Sequence, residues 1–490
     1  MPPSDQPTSW LGKFFSQSGP KFLRDLLSLA GGQALSMVVG FITFAYLARQ
    51  LSPEDYGTIE LAISIAAFAA IVIECGVGPI GVKALAVKPA DAGVLASQIP
   101  VARFIMALFV IPAAFLLSLL ANLTPTGQTL LWIYIASLIF APLKQEWLFQ
   151  GLEHMNLAAL ARPIRSLGFA AGVFLLVHPG TSIATVGWIE CATLLLVSVY
   201  YIAGQYYLGL PFRTGWPIRE SLTFLKTGAA VGLSNMLWAF MLYAPMMLLS
   251  VLAEPEQSAW LGAAQRLVIS LLVLSFIYHF NLYPAITRSL HNDLAGWERM
   301  MQSSIHVIAW GGIFVALSLT LFATPIMTLV FGEAFATAAP VLICLSWVFP
   351  LRLLSGHARW SLIAKSKQRL LLRAEIVGAL ALITVALISI PHLGAVGAAL
   401  SFFAAVFASA CITQFAVNRQ IGAMSLIRPS VIPGLAALAA LTVWFALGTG
   451  VQAGFAGLVV FVLCGLVRRK SLFSDLVRVA YAKPPERASD

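Results

Sequence analysis

Residues 365–399 read KSKQRLLLRAEIVGALALITVALISIPHLGAVGAA. Lys365, Lys367, Arg369 and Arg373 crowd its start, and the apolar run at 370–391 is long enough to cross a bilayer at about 20 residues per span. The chain then turns through Pro391-His392-Leu393-Gly394 without a lysine or arginine and enters a second apolar run, 394–418. A basic gap, a span, an uncharged tight turn and another span make a helical hairpin threaded through a membrane, its positive end on the cytoplasmic side.

The same alternation extends in both directions. Earlier apolar runs lie near 22–48, 57–79, 99–122, 126–150, 155–178 and 182–208, then 223–251, 258–284, 303–330 and 338–364; two shorter runs follow at 431–447 and 451–467. Every second gap is basic: Lys83 and Lys88; Arg162 and Arg165 close by; Arg213 and Arg219; Arg288 and Arg299; the quoted cluster; Arg419 and Arg428. The intervening gaps hold Arg49 and no other lysine or arginine. Lys13, Lys21 and Arg24 at one end, and Arg468, Arg469, Lys470, Arg478, Lys483 and Arg487 at the other, place both termini in the cytoplasm. Fourteen spans satisfy the even number this requires.

Composition agrees, since 59% of the 490 residues are hydrophobic and 10% charged, whereas soluble proteins average about 25% charged. The net charge of +10 is dispersed between spans and forms no patch interleaved with aromatics, which argues against nucleic-acid binding. Cys75, Cys191, Cys344, Cys411 and Cys464 lie apart inside apolar runs, and the seven histidines show no ligand spacing, so neither a disulfide framework nor a metal or other cofactor is indicated. Near the start, Trp10, Leu11, Phe14 and Phe15 suit either a short interfacial helix or a disordered tail.

The predicted fold is an all-α membrane protein with about fourteen transmembrane helices. Two pseudo-symmetric six-helix lobes surround a central cavity, with two more helices at the C-terminus. The segments are a cytoplasmic tail (1–21), a first lobe (22–208), a cytoplasmic connector (209–222), a second lobe (223–418), two further spans (431–467) and a cytoplasmic tail (468–490). The duplication rests on two echoes. Ser52-Pro53-Glu54-Asp55 and Glu254-Pro255-Glu256-Gln257 are acidic, proline-marked helix starts, and His178-Pro179-Gly180 matches Pro391-His392-Leu393-Gly394 as a tight turn before a small-residue face. In the first, Ser52 is placed to cap the helix.

Function is sought among the charges a bilayer disfavours, each costing about 2.5–3.5 kcal/mol near mid-membrane even on lenient scales. Arg266 lies inside span eight; Arg352 and Arg359 in span ten are seven residues apart, on one helix face about 10 Å along, with His357 on a neighbouring face. They are expected to form a positive inner wall in the second lobe. In the first, Arg162, Arg165 and Lys144 approach the cytoplasmic level, where they either line the path or snorkel to headgroups. Glu60 and Glu74 in span two share a face, as coupling-ion ligands or as partners in ion pairs between helices. His279 and His306 read as packing or boundary residues. A cavity so lined prefers an anion, and guanidinium forks match pyrophosphate oxygens.

Four stretches carry a family resemblance: ARQLSPEDYG at 48–57, ECGVG at 74–78, FGEAF at 331–335 leading into AAPVL at 338–342, and PHLGAVGAA at 391–399. In order and spacing they resemble the Wzx-type polysaccharide flippases of the multidrug/oligosaccharidyl-lipid/polysaccharide (MOP) exporter superfamily. The resemblance implies a bacterial inner-membrane protein that moves undecaprenyl-pyrophosphate-linked oligosaccharide to the periplasmic leaflet by alternating access, for O-antigen, capsule or exopolysaccharide assembly. It implies a V-shaped central cavity, membrane lipids as surroundings, and drive by a proton (H+) or sodium (Na+) gradient. A polysaccharide polymerase and glycosyltransferases are expected to act alongside. A path complete within one chain predicts a monomer. The alternatives are a lipid II flippase or a multidrug/cation exporter of the same superfamily and, from another class, a membrane polysaccharide polymerase or ligase; the last needs a long outer loop that this chain lacks.

Overall fold

The computed structural model describes residues 19–121, 123–212 and 217–480; the expected interfacial helix around Trp10 to Phe15 lies outside the described residues, as do Lys13, Arg213, Lys483 and Arg487. Among the described residues all regular structure is helical. The helices are α1 Gly19–Gln50, α2 Pro53–Glu74, α3 Val77–Val87, α4 Ala92–Ser118, α5 Pro125–Ser137, α6 Glu146–Gly151, α7 Met155–Leu176, α8 Ala184–Tyr207, α9 Ile218–Leu252 and α10 Pro255–Asn292. They continue as α11 Leu294–Leu321, α12 Ala323–Phe331, α13 Ala339–Ser346, α14 Val348–Ala364, α15 Gln368–Leu393, α16 Ala395–Gln420, α17 Ile427–Ala446, α18 Val451–Val467 and α19 Arg469–Ala480. Thirteen segments are long and apolar enough to cross a membrane. The pair α18 and α19, bent by 69°, makes a fourteenth if counted as one span.

Local signals in the sequence set the helix ends. Ser52 Oγ accepts the Asp55 N–H at 3.1 Å, Pro53 opens α2, and Glu54 and Asp55 sit in its first turn against the positive end of the helix dipole. At Cys75 (φ 46°) and Gly76 (φ 71°) the backbone turns left-handed and ends α2. A Cβ on Gly76 would lie 2.7 Å from the Gly228 carbonyl oxygen, so only glycine lets the two backbones approach this closely. The two expected echoes touch: Gln257 in the first turn of α10 accepts the Ala395 N–H at 2.7 Å and so caps α16 just after Gly394 (φ 52°).

Three predicted spans are broken where the sequence reading had them continuous. Span four (126–150) tightens into a 3-10 turn at Leu138–Leu143 between α5 and α6; span nine stops at Leu321 and resumes as α12; span ten starts as a 3-10 turn, Glu333–Ala338, and breaks again between α13 and α14. Each break lies at or just ahead of a proline. Pro142, Pro325 and Pro350 have no N–H for the carbonyls of Leu138, Leu321 and Ser346 four residues back. Proline alone does not decide the matter, because Pro100, Pro163 and Pro284 lie within unbroken helices. Two elements were missed. The short apolar α3 falls in a predicted cytoplasmic gap and is held by Val77 and Leu85 packing with Ile99, Trp147 and Leu148; α19 falls in the predicted tail.

The chain forms two compact units. The first comprises Met1–Gln50, Ala66–Leu119 and Thr124–Asn235, and in it α1 packs on α7 while α5 and α7 pack on α8. The second comprises Leu51–Ile65, Leu120–Leu123 and Met236–Asp490; in it α15 and α16 lie side by side and α14 is wedged among α10, α11 and α16. Its core is built around the fully buried Trp297, with Ile286, Met301, Leu362 and Val417. Large apolar side chains such as Leu108, Phe109 and Leu175 are exposed on the spanning helices. Such surface is a liability in water, and in hydrocarbon it is the ordinary lipid contact.

Candidate functional site

Ion pairs decide what each expected charge can do. In the second unit, Arg266 on α10 grips Glu60 on α2 with both prongs of its fork: Nε donates to Oε1, and Nη2 to Oε2 at 3.0 Å. Glu60 is buried and Arg266 largely so. Glycines make the approach possible. A Cβ on Gly262, one turn before Arg266, would run into the Glu60 side chain, and one on Gly57 would lie 2.7 Å from the Ala259 backbone nitrogen. Tyr56, fully buried, faces the same pair and presents its ring edge to Phe331 and Phe335.

Arg359 on α14 donates from Nη1 to Glu375 Oε1 on α15 at 2.5 Å, and Glu375 is 1% exposed. Arg352 differs: its guanidinium carbon stands 4.1 Å from the centroid of the Trp238 ring, and among the described residues it has no carboxylate in ion-pair contact. Of the three arginines expected to line a positive wall, two carry their own counter-ion and one lies on an aromatic face. That face holds the guanidinium plane by cation–π attraction and leaves its N–H edges as donors.

In the first unit Glu74 pairs with Arg103 Nη2 at 3.3 Å, and Arg103 Nη1 donates to the Lys144 carbonyl at 2.5 Å. Arg162 Nη2 donates to Glu146 Oε1 at 2.9 Å and its Nη1 to Gln33 Oε1 on α1; Lys144 lies 3.4 Å from the other Glu146 oxygen; Arg165 pairs with Glu190 on α8. Arg162, Arg165 and Lys144 keep 53%, 54% and 55% of their side-chain surface exposed, the behaviour of residues reaching outward from a helix. Glu60 and Glu74, grouped on one helix face by their spacing, belong to different compact units, and each is bound to its own arginine.

Arg103, Glu190 and Glu375 escaped the sequence reading. Each is a charge inside an apolar run, the signal that singled out Arg266 and Arg352, and a search for equal numbers of acids and bases within spans would have found them. Among the described residues no group of histidine, cysteine, aspartate or glutamate is arranged to hold a metal ion, and the five cysteines are free.

Residues 22–290 match the family model described as polysaccharide biosynthesis protein, more than half of the chain. The chain belongs to this family. A protein of Escherichia coli (strain K12) named "Putative O-antigen transporter" is 24% identical over 335 residues, 66% of this chain and 79% of that protein. A Shigella dysenteriae protein of the same name is 21% identical over 374 residues, 74% of this chain and 91% of its own. Among solved structures, the lipid II flippase MurJ in an inward closed conformation superposes with a TM-score of 0.73 at 16% identity, covering 92% of this chain and 99% of that one. An inward-facing multidrug resistance transporter of the MATE family gives 0.63 at 15% identity, covering 81% and 98%. Family membership bears out the resemblance drawn from the four sequence stretches, and the MOP transporter fold accords with the helical architecture. The chain is a multi-pass membrane protein of this family.

Proposed function

We propose that this polysaccharide-family transporter is a flippase that carries undecaprenyl-pyrophosphate-linked oligosaccharide units across the bacterial inner membrane by alternating access, supplying O-antigen, capsule or exopolysaccharide assembly. Arg352 carries the reading. A guanidinium within a membrane span, seated on Trp238 and with no carboxylate in ion-pair contact among the described residues, is matched by an anionic passenger, and pyrophosphate oxygens suit its bidentate edge. Arg266 and Arg359, already neutralised, serve as rigid polar partners for sugar hydroxyls. Arg162, Arg165 and Lys144 gather anionic headgroups at the cytoplasmic leaflet. The names of the relatives support the substrate class.

Replacing Arg352 by alanine tests it in cells whose surface polysaccharide depends on this gene. Losing a charge-assisted bond of about 1.5–3 kcal/mol lowers substrate affinity by roughly 10- to 100-fold. Export should fall accordingly with the protein still inserted, and Arg352→Lys should recover part of it. Wild-type export from Arg352→Ala would remove the role. Rescue of cells depleted of their lipid II flippase would redirect the substrate to a peptidoglycan precursor.

A further inference from the structure

Two histidines distant in sequence meet inside the second unit. His279 on α10 is 1% exposed and His357 on α14 is fully buried. His279 Nε2 lies 3.5 Å from His357 Nδ1, with the ring centroids 4.9 Å apart and the planes at 79°. The backbone makes room for this contact: a Cβ on Gly356 would run into the His279 ring. Burying two imidazoles is unfavourable unless every nitrogen is matched.

The partners of those nitrogens outnumber the hydrogens that two neutral rings supply. The Ser275 carbonyl lies 2.7 Å from His279 Nδ1, the Leu354 carbonyl 3.2 Å from His357 Nδ1, and the Leu353 carbonyl acts on both rings. Carbonyls only accept, so the nitrogens facing Ser275 and Leu354 carry hydrogens. His357 Nε2 lies 3.0 Å from Ser304 Oγ and 3.3 Å from the Tyr278 hydroxyl, and those two hydroxyls also touch each other. With neutral rings, a hydroxyl donates to Nε2. When a third hydrogen binds Nε2, the hydroxyls rotate and accept it, and every polar atom keeps a partner. The network is complete both with and without the extra proton.

What faces the pair sets its charge. Tyr278 and His279 come from α10, Ser304 from α11, and His357 and Arg352 from α14; among the described residues neither ring has a carboxylate in ion-pair contact. Arg352 is the charged group whose field reaches His279. A second positive charge beside it is disfavoured until an anion sits on the guanidinium, so anion binding and protonation favour each other, and the linkage is reciprocal.

We propose that His279 and His357 jointly hold one exchangeable proton, taken up from water when an anionic headgroup neutralises Arg352 and given back when that headgroup leaves. The link to the anion rests on the reading of Arg352 given above; the proton site stands on the histidine geometry. Proton and anionic lipid then bind together rather than in exchange for one another.

The test uses the full-length protein in nanodiscs with 15N-labelled histidine, titrated between about pH 8 and pH 5 with and without polyprenyl pyrophosphate. The two imidazoles are assigned by their loss in His279→Gln and His357→Gln. The pair should take up one shared proton, its midpoint should rise when the pyrophosphate is added, and His357→Gln should shift the His279 midpoint by about one pH unit or more. In unbuffered medium, adding the pyrophosphate should draw up to one proton per molecule from solution in the wild type and none in His357→Gln. Two rings that stay neutral throughout with the ligand bound, or that titrate independently, would overturn the shared site, and the wild-type titration decides this without any variant. A titrating pair whose midpoint ignores the bound ligand would overturn the linkage. If polyprenyl pyrophosphate does not bind at all, the reading of Arg352 fails, while the titration still judges the histidines.

Discussion

At the residue scale, the chain treats its embedded arginines in two ways. Arg103, Arg162, Arg165, Arg266 and Arg359 each have a carboxylate on another helix, whereas Arg352 has Trp238. Breaking a buried pair from one side leaves an uncompensated charge, so Glu60→Gln should destabilise the second unit by about 3–5 kcal/mol. Replacing both members at once, as Glu60→Leu with Arg266→Met, should restore most of that loss. Thermal unfolding in detergent checks both; equal losses for the single and the double variant would contradict an ion pair held for structure. The positions of Arg266, Arg352 and Arg359 were legible in the sequence because a charge in an apolar run is conspicuous. Their partners were not, because pairing joins α2 to α10 across 206 positions and α14 to α15 across 16, and one-dimensional spacing carries no record of which helices adjoin.

At the scale of elements, spans and turns follow from local chemistry, and the sequence reading found them wherever that chemistry is local. Apolar length gave the spans, and Ser52, Pro53 and Glu54 gave the start of α2. Breaks within spans four, nine and ten were less legible, since Pro142, Pro325 and Pro350 interrupt their helices while Pro100, Pro163 and Pro284 do not; the difference depends on what each freed carbonyl meets in the folded protein. The contact between α2 and α10 is set by Gly57 and Gly262. Gly262→Val should push Glu60 away from Arg266 and lower the melting temperature at least as much as Glu60→Gln, because it adds overlap to the lost pair. A melting temperature equal to the wild type would show that α2 can shift freely. Gln257→Ala should be milder, removing one capping bond to α16 worth about 1 kcal/mol, which the same unfolding measurement resolves.

At the scale of the molecule, the alternation of basic and uncharged gaps predicts cytoplasmic termini, and α18 with α19 must then complete a fourteenth crossing. Asp475 on α19 accepts from Ser303 at 2.8 Å and meets His306 at 2.7 Å on α11, anchoring the bent segment in the second unit. A C-terminal reporter active only in the cytoplasm should be active here; an inactive reporter on an inserted protein would mean thirteen crossings. The family and the MOP transporter fold make translocation the central claim, and reconstituted vesicles test it most directly. With undecaprenyl-pyrophosphate-linked oligosaccharide in the outer leaflet and a headgroup-specific enzyme outside, wild-type protein should protect about half of the lipid by moving it inward. Arg352→Ala should slow that movement by roughly 10-fold or more. Vesicles holding the wild-type protein, with or without an imposed proton gradient, that leave all of the lipid accessible would contradict the account.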